Sequence, residues 1–194
     1  MRDIVVIGAG KIGGAIALML AETGNYNVVV TDRDPAQLTK IDRHTAISTI
    51  FVDITDREAL VEVLRGKFAV LSAAPFNLTG RVAEAALEAS VHYLDLTEDV
   101  ATTKMVEKLA AGADVSFIPQ CGLAPGFISI VANDLTKRFD TLDTVRMRVG
   151  ALPQYPSNAL NYNLTWSTDG LINEYIESCE AVVEGKLVTV PALV

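Results

Sequence analysis

The sequence predicts an α/β protein in which a doubly wound parallel sheet is followed by part of an α+β second domain. Three observations predict it. Short, apolar, β-branched runs alternate with helical patterns up to about residue 118. Those runs show little polar alternation, as expected of parallel strands covered by helices on both faces. After Pro119 the rhythm changes to a turn-rich stretch and then a hairpin. The expected division is residues 1–126 against residues 127–194.

Ile4 to Ile7 makes the first strand, ended by Gly8. The apolar spacing from Ile12 to Thr23 is helical, and Val28 to Val30 returns to strand. Pro35 to Arg43 opens with a proline suited to a first helical turn, and Ile47 to Val52 is the third strand. Asp56 to Leu64, Ala69 to Leu71, Leu78 to Ala89, Tyr93 to Leu96, Glu98 to Ala111 and Val115 to Ile118 continue the alternation of helix and strand. Crossovers between parallel strands are right-handed, which winds such a chain into an open sheet. Beyond it, Phe127 to Phe139 is helical, and Thr144 to Gly150 alternates as a strand with Val145, Met147 and Val149 on one face. Pro153 and Pro156 mark a loop, Tyr162 to Trp166 reads as extended and Leu171 to Ser178 as helix. Ala181 to Val183 and Lys186 to Val190 form a hairpin that closes at Glu184-Gly185.

Composition removes several function classes. Half of the 194 residues are hydrophobic and mean hydropathy is +0.32, so the chain can build a core and is not globally disordered. Acidic residues outnumber basic ones 24 to 16, for a net charge of −8, with no basic stripe to neutralise phosphates. A nucleic-acid partner is not expected. No apolar run approaches the ~20 residues of a membrane helix, so no membrane partner is expected either. Cys121 and Cys179 are too few for a disulfide framework and fit a reducing compartment, so the expected location is cytoplasmic. His44 and His92 stand apart from Cys, Asp or Glu at ligand spacing, so no metal site is expected.

The first strand runs into Gly8-Ala9-Gly10-Lys11-Ile12-Gly13, a G-x-G-x-x-G turn that opens an apolar helix. Gly8 permits the tight turn, Gly10 lets backbone approach a pyrophosphate, and Gly13 lets the helix pack closely on the strand. The amides at the helix start, across Lys11 and Ile12, then face the phosphates with the helix dipole behind them. After a strand, before a helix and inside a βαβ unit, the motif predicts a dinucleotide-binding (Rossmann) domain. A glycine-rich turn that binds nothing is the plain alternative.

Asp32 closes the second strand about 20 residues past the motif, where an acid accepts hydrogen bonds from an adenosine ribose. Its charge repels a 2′-phosphate and favours NAD, whereas the neighbouring Arg33 suits the phosphate of NADP. NAD is the expected cofactor and NADP the alternative. Asp53 stands either at the adenine edge or as the N-cap of the next helix, a task Asp56 could equally perform. Ala73, Ala74 and Pro75, after Ser72, leave room for a nicotinamide ribose at the end of the fourth strand. Asp95, Thr97 and Glu98 place polar side chains at the same edge after the fifth.

Together with the glycine turn, Tyr93-Leu94-Asp95-Leu96-Thr97 and Gly122-Leu123-Ala124-Pro125-Gly126 resemble the saccharopine dehydrogenase family. Leu152-Pro153, Tyr162, Trp166-Ser167-Thr168-Asp169-Gly170-Leu171 and Glu174-Tyr175 look like its second domain, in the branch that holds lysine epsilon-dehydrogenases. The resemblance implies an enzyme that oxidises a carbon–nitrogen bond of an amino acid with a nicotinamide cofactor, working as a homodimer. It places the substrate between the two domains. Thr97 matches a Ser beside the cleft, Glu98 falls where members often have Tyr, and Ala124 replaces the Asp of Gly-Leu-Asp-Pro-Gly. The last departure favours the simpler amine-oxidising branch. The resemblance also implies a second domain that continues well past Val194, so a truncated chain is expected.

A substrate nitrogen must be neutral before hydride leaves its carbon, and a free amine is mostly protonated at pH 7. Glu98 and Asp95 are the acids at the strand edge that could act as base, or could anchor an ammonium group. Thr97, Glu98, Cys121 and Gly122 are the expected substrate neighbours. Cys121 reads as a small packing residue beside the nicotinamide, since no basic residue in its segment would activate it. Arg146 and Arg148 could clamp a dicarboxylic substrate from one strand face, or could lie in solvent. A basic amino acid such as lysine, its distal amine directed toward Glu98, is the expected substrate. The rival reading is a non-catalytic module that senses or merely binds NAD.

Overall fold

A computed structural model describes residues 1–41, 44–150, 153–159, 161–162 and 167–192. Its centre is a six-stranded, wholly parallel sheet built from β1 (Arg2–Ile7), β2 (Tyr26–Asp32), β3 (Ile47–Phe51), β4 (Ala69–Ser72), β5 (His92–Asp95) and β6 (Phe117–Ile118). The spatial order is β3-β2-β1-β4-β5-β6, so the direction of winding reverses between β1 and β4. The connecting helices are α1 (Lys11–Glu22), α2 (Pro35–Leu38), α3 (Arg57–Leu64), α4 (Phe76–Ala89) and α5 (Val100–Ala110).

The strands are apolar throughout because both faces are covered. Along β1, Val5 and Ile7 enter one core with Leu60, Leu64, Val70, Val82, Tyr93 and Val106. Ile4 and Val6 enter the other, with Ala17 and Ala21 of α1 and Val28 and Val30 of β2. Small residues on α1 let it lie close to the sheet, and the two faces separate by the two-residue period of the strand. Nearly full burial of the valines contributes roughly 1.5–3 kcal/mol each in removal from water.

Two expected elements change here. The second helix ends at Leu38, short of Arg43, because the chain turns at Thr39 and brings Ile41 onto the core beside Gly14; Asp42 and Arg43 lie outside the described residues. The strand expected over 144–150 does not form. No described strand lies beside it to take its N–H and C=O groups, and Val145, Met147 and Val149 stay about half exposed. Arg146 and Arg148 therefore share no strand face. Most of Tyr162 to Trp166 falls outside the described residues.

The remainder of the second part is α6 (Phe127–Thr136), α7 (Thr168–Ile176) and a hairpin of β7 (Cys179–Val183) with β8 (Lys186–Val190). Helix α7 begins earlier than its apolar spacing suggests because the Ser167 hydroxyl accepts the Gly170 N–H at 3.1 Å and caps it. Glu184 and Gly185 both take left-handed conformations, φ 50° and 76°, which gives the hairpin turn the twist its strands require. No helix among the described residues is long and apolar enough to cross a membrane.

Candidate functional site

Where the winding reverses, the turns after β1 and β4 diverge and open a crevice at the carboxyl edge of the sheet, the place where ligands bind in open α/β sheets. Gly8 has φ +104°, and a Cβ there would sit 2.8 Å from the Ala73 carbonyl oxygen. Glycine is thus required both by the turn and by the approach of the β4 turn. A Cβ on Gly13 would overlap the Gly8 carbonyl oxygen, so α1 sits directly on the end of its strand. Gly10 differs, because a Cβ there would meet nothing within 4 Å. Among the described residues none fills the open ground above Gly10. The first-turn amides of α1 receive no side-chain cap and lack intrahelical partners. These features fit a pyrophosphate, which needs close backbone approach and free N–H donors.

A cavity of about 410 Å³ lies over this turn. Gly10 to Gly13 form its floor, with exposed Lys11 and Ile12 among them. Ser72 to Phe76 form one wall, which places Ala73, Ala74 and Pro75 in the cavity, and Leu96, Thr97 and Glu98 form another. Ser167 and Gly170 at the start of α7 close a further side. The buried hydroxyls of Ser72 and Thr79 share a hydrogen bond of 3.2 Å, which ties the end of β4 to the first turn of α4.

Asp32 ends β2 with both oxygens engaged: Oδ2 accepts the Ala9 N–H at 2.8 Å and Oδ1 the Asp34 N–H at 2.9 Å. Arg33 beside it is exposed. Asp53 is not the cap of α3; Asp56 is, accepting the Ala59 N–H at 3.0 Å. Asp53 instead accepts the Thr55 N–H and hydroxyl, each at 2.8 Å. Those bonds, with smaller contributions from the Arg33 and Arg81 charges, hold its carboxyl below the usual range. Asp32, Arg33 and Asp53 all lie at the carboxyl edge but outside the cavity lining.

Asp95 lies behind the wall, fully buried. Its Oδ2 accepts the Tyr93 hydroxyl at 2.7 Å, and its Oδ1 accepts the N–H groups of Thr97 at 3.1 Å and Gln120 at 3.0 Å. Burial, then the Asp95 charge and hydrogen bond, push the Tyr93 phenol above its ordinary value. The Thr97 hydroxyl accepts the Asp99 N–H at 3.1 Å, and Asp99 caps α5 through the Thr102 N–H and hydroxyl. Asn173 of α7 donates to the other Asp99 oxygen at 3.3 Å. Burial disfavours the Asp99 charge, but the bonds from Thr102 and Asn173 prevail and hold its carboxyl below the usual range.

Cys121 and Gly122 do not line the cavity. The Cys121 N–H donates to the Asp95 carbonyl at 2.7 Å, and a Cβ on Gly122 would stand 3.5 Å from the Leu96 carbonyl oxygen, so the pair backs the wall. Burial, then the Asp95 charge, push the Cys121 thiol up, which leaves it a poor nucleophile. Arg146 lines a different groove, of about 430 Å³, between α6 and residues 141–147. Among the described residues no group of three His, Cys, Asp or Glu could hold a metal.

Sequence reasoning passed over Leu96, Phe76 and Gly170 as cavity residues. The Ser167-x-x-Gly170 cap was a readable signal for a helix start, but nothing local shows which cavity that start faces. The burial of Asp95 was readable in part: two residues from Tyr93 on one strand, it shares the face of a large aromatic.

Fold and site together define a dinucleotide-binding protein of the doubly wound class, joined to a small α+β segment that reaches the cofactor cavity. Residues 4–117 match the family described as Saccharopine dehydrogenase NADP binding domain, and residues 122–194 match the Saccharopine dehydrogenase C-terminal domain. The chain belongs to the saccharopine dehydrogenase family, and its cofactor is a nicotinamide dinucleotide, NAD(P). It is similar to the mitochondrial alpha-aminoadipic semialdehyde synthase of Rattus norvegicus, at 24% identity over 97% of this chain and 21% of that protein. It is similar to saccharopine dehydrogenase [NADP(+), L-glutamate-forming] of Saccharomyces cerevisiae, at 23% identity over 97% of this chain and 44% of that protein. The solved apo structure of the histidine-tagged yeast saccharopine dehydrogenase (L-Glu forming) superposes with a TM-score of 0.72 at 21% identity, covering 98% of this chain and 44% of that one. The chain thus spans less than half the length of these relatives.

Proposed function

We propose that the protein is an NAD(P)-dependent oxidoreductase acting on a C–N bond of an amino acid, as saccharopine and lysine dehydrogenases do. One observation carries this reading: the dinucleotide turn, a carboxylate-bearing wall and the start of α7 line the same cavity. A module that only held a dinucleotide would have no need of an acid and a second-domain helix there. The two parts, residues 1–126 and 127–194, then serve as the cofactor domain and as a contribution to substrate binding and dimerisation.

The α1 amides and Lys11 would hold the pyrophosphate, and the small residues Ala73 and Ala74 would leave space for the nicotinamide ribose. A bound nicotinamide would supply the hydride acceptor. The chain supplies the proton chemistry. An alkyl amine with an ordinary pKa of about 10.4 keeps its lone pair protonated near pH 7. Glu98 lines the cavity and is the residue proposed to take that proton, which frees the lone pair to push the hydride out. Asp95 is too buried to share this task.

Among the described residues the one cation lining the cavity is Lys11, so no arginine pair stands ready to clamp two substrate carboxylates. Together with Ala124, this supports a basic amino acid such as lysine over a dicarboxylic one. The proposed assembly is a homodimer and the proposed location cytoplasmic. The test is nicotinamide absorbance with L-lysine or L-saccharopine and either cofactor. Turnover that disappears in a folded Glu98→Gln variant still able to bind cofactor supports the reading, and turnover of neither amino acid overturns it.

A further inference from the structure

We propose that Asp95 is a positioning residue, which holds the cavity wall so that Glu98 is presented to the cavity, and takes no proton from substrate. The proposal rests on the reading above only for the chemical task of Glu98; the placement of the wall stands independently of it.

Three donors from three parts of the chain converge on this one carboxylate. Tyr93 comes from β5 itself and is anchored by stacking on Phe117, with ring centroids 5.4 Å apart. Thr97 comes from the cavity wall, and Gln120 from the turn that follows β6. Gln120 has φ +60°, a conformation that non-glycine residues avoid, and its N–H is directed at Asp95. The Asp95 carbonyl takes the next N–H, of Cys121. Beyond Thr97 the ladder continues, since Thr97 accepts from Asp99 and Asp99 accepts from Asn173. Glu98 therefore lies between two residues whose backbone N–H groups are both fixed by side-chain acceptors. With no exposed surface, Asp95 itself cannot reach a ligand without opening that wall.

The arrangement asks for acceptor geometry rather than charge. An Asn could keep its one oxygen toward Thr97 and Gln120 and turn its NH₂ to the Tyr93 oxygen, which can accept. A Leu could do neither. The experiment follows NADPH fluorescence titration and amide hydrogen exchange in the chain, its Asp95→Asn variant and its Asp95→Leu variant. Asp95→Asn should bind NADPH within about threefold of the original and keep Thr97 and Gln120 protected, whereas Asp95→Leu should lose that protection and bind about tenfold or more weakly. Should Asp95→Leu not fold, Tyr93→Phe keeps the ring and removes one donor, and faster exchange at Thr97 and Gln120 is expected. An Asp95→Asn variant that loses protection, a folded Asp95→Leu variant indistinguishable from the original, or unchanged exchange in Tyr93→Phe would each overturn the proposal. Under turnover with L-lysine or L-saccharopine, Asp95→Asn should keep the acid limb of the pH profile, and its disappearance would make Asp95 the proton acceptor and overturn the proposal. If the original chain turns over neither amino acid, the functional reading fails while affinity and exchange still decide the role of Asp95.

Discussion

Asp32 accepts the backbone N–H of Ala9 at 2.8 Å and so braces the glycine turn from the end of the neighbouring strand. A residue expected only to meet the adenosine ribose thus also fixes the loop on which the pyrophosphate would rest. Its second oxygen holds the Asp34 N–H at 2.9 Å, and carboxylate oxygens have lone pairs left for a ribose hydroxyl. Bracing and ribose recognition are compatible in one side chain.

Cofactor choice at this edge should follow the arginines. The Arg33 and Arg81 charges both help to lower the Asp53 carboxyl, and guanidinium groups are the side chains best suited to pair with a 2′-phosphate. Arg33→Ala and Arg81→Ala should each weaken NADPH binding about tenfold while leaving NADH within about twofold. Calorimetric titration of both cofactors checks this. Equal losses for NADH and NADPH would leave the ribose site to Asp32 alone, with the NAD preference that its charge suggests.

The second and third glycines of the motif should fail in different ways. Gly10 is extended, at φ −71° and ψ −173°, and faces open space, so Gly10→Val should fold normally yet lose cofactor affinity. Gly13 faces the Gly8 carbonyl, so even Gly13→Ala must push helix from strand and should cost about 1–3 kcal/mol of stability. Thermal melts beside NADPH titrations separate the two effects. A Gly10→Val variant that binds normally would mean the pyrophosphate lies elsewhere.

The parallel sheet was legible because a strand buried on both faces needs an unbroken apolar run, and Ile4 to Ile7 and Val28 to Val30 are such β-branched runs, each followed by a helical pattern. Residues 144–150 show the limit of the same logic. Their alternation records one apolar face, but a strand also needs a neighbour, and period says nothing about where one is. Asp95 and Glu98 looked equivalent as acids near one strand end, whereas one is in the core and the other in the cavity. Ser167 and Gly170 reach the cavity from some 70 positions beyond Glu98 in the chain, a contact that only tertiary packing defines.

Asp99 should make stability depend on acid pH. Its carboxyl is held below the usual range in the fold, so its contribution is complete above the unfolded value of about 3.9 and is lost as pH falls through the lower, folded value. Asp99→Asn retains a cap for α5 without that titration. Chemical unfolding between neutral and strongly acid pH should show the original chain losing more stability than Asp99→Asn. Asp99→Ala should cost about 1 kcal/mol at neutral pH through the lost cap. Parallel pH curves for the original and Asp99→Asn would refute the assignment.

Lys11 offers the most direct test of where the phosphates sit. It lines the cavity at the first turn of α1 and makes no ion pair among the described residues. Among the described residues that positive charge has no ion-pair partner, whereas a pyrophosphate would supply one, adding to the helix dipole. Lys11→Ala should leave the melting temperature unchanged and weaken NADPH about tenfold. Lys11→Arg should recover most of the loss, because the charge rather than the amine shape is at work. Salt supplies the control: the affinity of the original should fall more steeply with ionic strength than that of Lys11→Ala, since one screened attraction has been removed. Identical salt slopes would place the Lys11 ammonium away from the phosphates even if affinity dropped.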